Sequence, residues 1–210
     1  YRDHSRLMVL DKLSGSIEHR RFFDLPDYLN EGDVFVFNDS RVVPARLFAE
    51  KERSKTRIEI LLLHRLHKGV WKALVKPGKK MRTGTRFYFG HNLSTTIQGT
   101  VLEEELDGAK IISVEDEDQL VKIATLAIPP YIHELVSDPE RYQTVYSRTE
   151  GSIAAPTTGL HFTNVLLDKL RSDGVTTVFV TLYVGWDSFR PIKTEGPMGH
   201  EMHSEYSLMF

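Results

Sequence analysis

Apolar positions along this chain fall into two textures. Short runs of β-forming residues fill positions 57–66, 70–75, 86–89, 93–102 and 110–114, punctuated by Gly69, Pro77-Gly78, Gly84, Gly90 and Asp107-Gly108. Closely spaced strands with such turns predict a small antiparallel barrel or sandwich, with a helix only at about 118–124. On either side the texture changes. Residues 7–10 and 17–22 flank the turn-rich stretch 11–16 and read as a β-hairpin. Asp24-Leu25-Pro26-Asp27 opens a short helix, with Asp24 as its cap and Pro26 tolerated in the first turn. Residues 34–37 read as a buried strand. Much later, Val165, Leu166 and Leu170 recur at helical period between Thr163, a natural N-cap, and Gly174, a natural stop. Residues 175–184 then read as a continuous buried strand, parallel to its neighbours. The expected fold class is α/β. An α/β main domain, residues 1–50 and 126–210, is interrupted by an inserted small antiparallel β-barrel-like domain at 51–125.

One stretch, RYQTVYSRTEGSIAAPTTGLHFT at 141–163, fits neither period. A segment this long without regular structure in a compact domain reads as a functional loop, and its apolar residues anchor it. Gly151-Ser152 and Thr157-Thr158-Gly159 lie ahead of a helix start, where backbone N–H groups form sites for carboxylate or phosphate. The spacing matches neither nucleotide fingerprint, GxxxxGK[ST] or GxGxxG. The hydroxyls of Thr157 and Thr158 suit a ribose or an amino-acid head group. His161, between Leu160 and Phe162, is either a packed core residue or an imidazole placed for proton transfer. Tyr142 and Tyr146 either stack on a nucleobase or pack the loop. Arg141 and Arg148 are surface cations or anion clamps. Asn38-Asp39-Ser40-Arg41, at a strand end, is either an Asx turn or part of a ligand site. Asp39, Arg41 and Arg46 are expected to face the same cleft as the 157–161 loop.

Composition narrows the picture modestly. The 210 residues are 40% hydrophobic and 27% charged, ordinary for a globular chain, and the absence of cysteine excludes disulfides and thiolate metal sites. No apolar run reaches the roughly 18 residues of a membrane span. His200 and His203 are three apart rather than the four of HExxH, with no third ligand evident, so no metal is expected. The net charge of −2 conceals an asymmetry. Residues 41–86 hold 14 Lys/Arg against three Glu, while residues 101–118 hold eight Asp/Glu against one Lys. The basic block is either a polyanion face, with Lys76, Lys79, Lys80 and Arg82 around a Pro-Gly turn as its RNA contacts, or solvated strand faces.

The loop at 141–163 resembles the signature of the S-adenosylmethionine:tRNA ribosyltransferase-isomerase family of queuosine biosynthesis. RDHSRLMVLD (2–11), FNDSRVVPARL (37–47), IPPYI (128–132), FRPIK (189–193) and HEMHSEY (200–206) resemble further family stretches, in the family's order. The resemblance implies a cytoplasmic enzyme. It would transfer and isomerise the ribosyl part of S-adenosylmethionine onto 7-aminomethyl-7-deazaguanine in a tRNA anticodon, giving epoxyqueuosine and releasing adenine and methionine. Its partners would be tRNA and S-adenosylmethionine, with no other cofactor, no membrane and no oligomer. That chemistry needs a base, an acid, a carboxylate clamp and a cationic track. The expected catalytic residues are His161, Thr157, Thr158 and Asp39. The expected substrate-binding residues are Arg41, Arg46, Arg141, Tyr142, Tyr146, Gly151, Ser152, Gly159 and Arg190. The alternative from a different class is a non-catalytic RNA-binding protein using the basic β-domain. The chain opens at Tyr1 without methionine, and 207–210 depart from the family pattern, so part of that pattern is expected to lie outside these residues.

Overall fold

The computed structural model describes the chain except residues 91–95, 130–131, 133–137, 190–195, 197–198, 200–203 and 209–210. Two compact units result: Tyr1–Val42 together with Pro130–Phe210, and Val43–Pro129. The first opens with β1 (Arg6–Leu10) and β2 (Ile17–Arg21), an antiparallel hairpin as the pattern predicts. Asp11 shapes its turn by accepting hydrogen bonds from the backbone of Leu13 and Ser14 at 2.8 and 2.7 Å. The expected helix is a 3-10 segment, Phe22–Tyr28. Asp24 sits on its third residue and reaches back to the Arg21 N–H at 2.9 Å, the far half of a capping box rather than the cap itself. β3 (Val34–Asn38) and β4 (Ser40–Val42) follow, separated only by Asp39.

The second unit is a closed antiparallel barrel. Its strands are β5 (Arg46–Lys51), β6 (Arg57–His67), β7 (Val70–Lys76), β8 (Arg86–Phe89), β9 (Ile97–Glu104) and β10 (Lys110–Val114). They close in the order β10-β7-β6-β5-β8-β9. Inward-pointing Leu47, Ile58, Ile60, Phe87, Phe89, Val101 and Ile112 fill it almost free of solvent. The Phe87 ring takes the space beside Gly99, where a Cβ would fall 2.3 Å from the ring. A short helix, α1 (Glu117–Ile123), follows β10, with Asp116 accepting from the Gln119 N–H at its start.

The chain returns to the first unit through β11 (Thr149–Ser152), which runs parallel to β4. Helix α2 (Asn164–Ser172) is capped by Thr163, whose hydroxyl accepts from the Leu166 N–H at 3.2 Å, and Gly174 ends it at φ +83. β12 (Thr176–Tyr183) then pairs parallel to β3 and antiparallel to β13 (Tyr206–Leu208). Leu166, Leu167 and Leu170 of α2 pack with Phe22, Phe37, Phe162 and Val175 into the core of this unit.

Burial corrects one expectation. β3 and β12 are not buried throughout but alternate. Phe35, Phe37 and Phe179 turn toward the core, while Val34, Val36, Val178 and Val180 are 40–61% exposed. Apolar residues at both parities hide a period of two, so a half-covered strand reads as a buried one.

Candidate active site

The strand-end tetrapeptide forms an Asx turn and also gathers distant chain. Asn38 accepts from the Ser40 N–H at 3.1 Å and brackets Leu182 through both its amide atoms, at 3.0 and 2.8 Å. Asp39, only 3% exposed, has both carboxylate oxygens engaged. One accepts the Thr181 hydroxyl at 2.7 Å; the other takes the Arg148 guanidinium at 2.6 and 3.0 Å. Its carbonyl accepts from the Arg148 N–H, which ties the 141–163 loop to the strand end. Arg148 itself stays largely exposed, 5.3 Å above the Phe179 ring. Ser152 is fully buried, donating to the Ser40 hydroxyl at 2.7 Å and accepting from the Val184 N–H. Gly151, at φ +145, lies where a Cβ would meet the Tyr183 ring at 2.5 Å.

The loop is more ordered than its texture promises. It contains 3-10 turns at Pro139–Tyr142 and Thr157–His161, with β11 between them. Tyr142 is 4% exposed, and Tyr146 lies 4.9 Å from Phe37 and 5.8 Å from Phe179, so both rings pack the loop. Burial pushes the Tyr146 phenol up to about 12. Its hydroxyl lies against Gly159, where a Cβ would come within 2.1 Å of it. Arg41 is held by Ser147 and Glu140. Thr157 and Thr158 are exposed, and so is Arg141. The half-buried His161 ring leans on Phe22 at 5.1 Å. Among the described residues neither the His161 ring nor the Arg141 guanidinium has a hydrogen bond or ion pair.

Residues at the start of the chain, inside the family-like stretch 2–11, complete this cluster, although the sequence assigned them no role. Arg2 donates to the carbonyls of Gln143 at 2.6 Å and Glu140 at 2.7 Å, locking the turn from outside. Asp3 accepts from the Thr163 hydroxyl at 3.2 Å, placing a carboxylate at the start of α2. Its other oxygen, Oδ1, is buried without a hydrogen bond among the described residues, with the His4 ring 4.0 Å away. The Thr144 methyl lies against Gly159, and its hydroxyl is likewise buried without a hydrogen bond among the described residues. Arg190, expected to bind substrate, lies outside the described residues, as do His200 and His203. Among the described residues no group of three or more His, Asp or Glu can hold a metal ion, and no helix is long and apolar enough to cross a membrane.

In the barrel unit Arg46 is engaged by Glu59 at 3.0 Å and by the Ile128 carbonyl. The acidic block folds back on part of the basic one. Lys72 pairs with Glu105 and Asp107, and Arg65 with Glu117, while Lys110, inside the acidic block, pairs with Glu104. Lys76, Lys79, Lys80 and Arg82 stay exposed around the turn Gly78–Lys80, anchored by fully buried Met81. Next to them Lys51, Arg53 and Arg86 border a cleft of about 510 Å³ shared with Glu52 and Thr83–Thr85. Lys51 reaches the Lys80 carbonyl at 2.9 Å, which joins the two groups into one cationic face.

Comparison with known proteins adds a further finding. A family model described as queuosine biosynthesis protein matches residues 1–209. The chain is 48% identical over 209 residues to the S-adenosylmethionine:tRNA ribosyltransferase-isomerase of Dehalococcoides mccartyi, covering 99% of this chain and 61% of that protein. It is 49% identical to the protein of the same name from Symbiobacterium thermophilum, covering 98% and 60%. A crystal structure of an S-adenosylmethionine tRNA ribosyltransferase from Thermotoga maritima is 34% identical, with a TM-score of 0.36 over 87% of this chain and 52% of that one. The chain thus spans about three-fifths of the length of the curated relatives it matches.

Proposed function

This chain belongs to the queuosine biosynthesis protein family, and from that premise we propose that it acts as an S-adenosylmethionine:tRNA ribosyltransferase-isomerase. The family match along residues 1–209 carries the proposal. In it, the ribosyl part of S-adenosylmethionine is transferred and isomerised onto 7-aminomethyl-7-deazaguanine in the tRNA anticodon, leaving adenine and methionine. No cofactor beyond S-adenosylmethionine takes part, and the protein works as a monomer in the cytoplasm. The discontinuous α/β domain and the inserted barrel are its two domains. The compact units support that division, with the border near Val43 rather than after residue 50.

The 157–161 turn is the reaction site. The sulfonium acidifies the adjoining carbon, and the His161 imidazole removes a proton there. Exposed Thr157 and Thr158 hydroxyls donate to ribose oxygens. Arg141, without a partner among the described residues, clamps the methionine carboxylate. Asp39 has a different task from the catalytic one its position invites: its oxygens are already occupied, and it positions Arg148.

Incubation with S-adenosylmethionine and tRNA carrying the deazaguanine base tests the proposal by mass spectrometry of the anticodon nucleoside. The enzyme adds the rearranged ribosyl group to that nucleoside. A non-catalytic RNA-binding protein leaves its mass unchanged, and that result would remove the activity.

A further inference from the structure

The barrel carries a second concavity beside its cationic cleft. Phe48 and Glu50 point outward from β5, and Glu50 is the register partner of both Arg57 on β6 and Tyr88 on β8. With Gly90 these residues line a cleft of about 320 Å³, at the small end of the roughly 300–1,000 Å³ typical of ligand sites. Phe48 is 45% exposed, and the Arg57 guanidinium lies over its ring at 4.5 Å. Arg57 stands opposite Glu50 in register, yet it covers the ring rather than the carboxylate. Among the described residues Glu50 therefore has no hydrogen bond and no ion pair. The Tyr88 hydroxyl donates to Glu52 at 2.7 Å, which ties a ring on the border of this cleft to a residue lining the one bordered by Lys51, Arg53 and Arg86.

We infer that this cleft is a nucleobase pocket for RNA, in which a splayed-out base stacks on the platform formed by Arg57 lying over Phe48 and presents its edge to Glu50. The inference rests on tRNA being the partner. The neighbouring Lys51, Arg53 and Arg86 hold the phosphates on either side. Aromatic rings interleaved with cations are how proteins grip unpaired strands, and stacking accepts any base. The carboxylate supplies the choice. It only accepts, through two oxygens, and so it favours an edge with two adjacent donors. Guanine alone offers that pair, N1–H beside the N2 amine. Adenine and cytosine set their amine beside a ring-nitrogen acceptor that a carboxylate repels, and uracil has one N–H between two carbonyls.

Fluorescence anisotropy with labelled UUGUU, UUIUU and UUAUU tests this. Wild-type protein is expected to bind UUGUU at least tenfold more tightly than UUAUU, with the inosine strand, one donor short, in between. Glu50→Gln brings all three within about twofold of one another. Phe48→Ala weakens all three by roughly 5- to 100-fold, the worth of one stacked base, and Phe48→Trp restores them. Both side chains lie on the outer barrel face, and unchanged melting temperatures show that the variants fold. Equal affinity of wild-type protein for the three strands, no binding to any of them, or full affinity in Phe48→Ala overturns the pocket. Adenine release measured on the same preparations separates the two proposals. Release without guanine preference leaves the enzyme standing, and guanine preference without release leaves only the pocket.

Discussion

Tyr146 gives the packed loop a measurable signature. Burial raises its phenol from 10.0 to about 12, so the folded protein keeps a proton that the unfolded chain gives up. Its contribution is full below pH 10 and is lost as pH rises through about 12. Tyr146→Phe should melt like wild type at pH 7 and lose less stability between pH 10 and 12. Parallel losses in the two proteins would mean that the ring is not buried. Asp39 is a second test. Asp39→Ala strands the Thr181 hydroxyl and frees Arg148, and is expected to cost about 1–3 kcal/mol in urea unfolding. An unchanged midpoint would show that the strand end does not depend on it. Local signals at this scale were legible: the Thr163 cap and the Asn38 turn follow from their own neighbours. The Asp39–Arg148 pair spans 109 positions and the Arg2–Gln143 bond 141, and nothing in the intervening residues announces either.

Strands were legible where a compact apolar run is bounded by turn residues, as in β3 and β7. β5 was missed because Phe48 points outward between Leu47 and Ala49, which breaks the alternation. The 157–161 turn was seen only as irregular chain, because its shape depends on Gly159 meeting Tyr146. Gly159→Ala should destabilise the protein by about 1–3 kcal/mol through overpacking. In a Tyr146→Phe background, where the clashing hydroxyl is gone, the same change should cost clearly less. Equal costs in both backgrounds would place the turn elsewhere. In the barrel, Glu117 fastens α1 to the β6–β7 hairpin through Arg65 at 2.7 and 2.8 Å and the Gly69 N–H at 3.2 Å. The Arg65 hydrogen bonds hold its carboxyl below the ordinary 4.5. That stabilisation is complete above pH 4.5 and is lost as pH falls through the folded-state value. Glu117→Gln is expected to show a shallower fall in melting temperature on acidification than wild type, and identical acid profiles would contradict the link.

Across the whole molecule the two charge blocks partly neutralise each other. Net charge is −2, and Arg65 and Lys72 of the basic block are spent on the acidic one within the barrel. What survives is the face around Lys79, Lys80 and Arg82, extended by Lys51, Arg53 and Arg86. If tRNA lies there, reversing Lys79, Lys80 and Arg82 to Glu weakens binding and flattens the salt dependence by roughly 0.7 per lost phosphate contact. An unchanged slope returns these cations to the solvated surface. The central claim, that this chain breaks S-adenosylmethionine at the His161 turn, is tested most directly by single-turnover adenine release with substrate tRNA, wild type beside His161→Gln. Release by wild-type protein, slowed roughly 10²- to 10⁴-fold in the variant with melting temperature and S-adenosylmethionine binding retained, is the predicted result. Release within a few-fold of wild type in the variant, or none from wild-type protein, would contradict it.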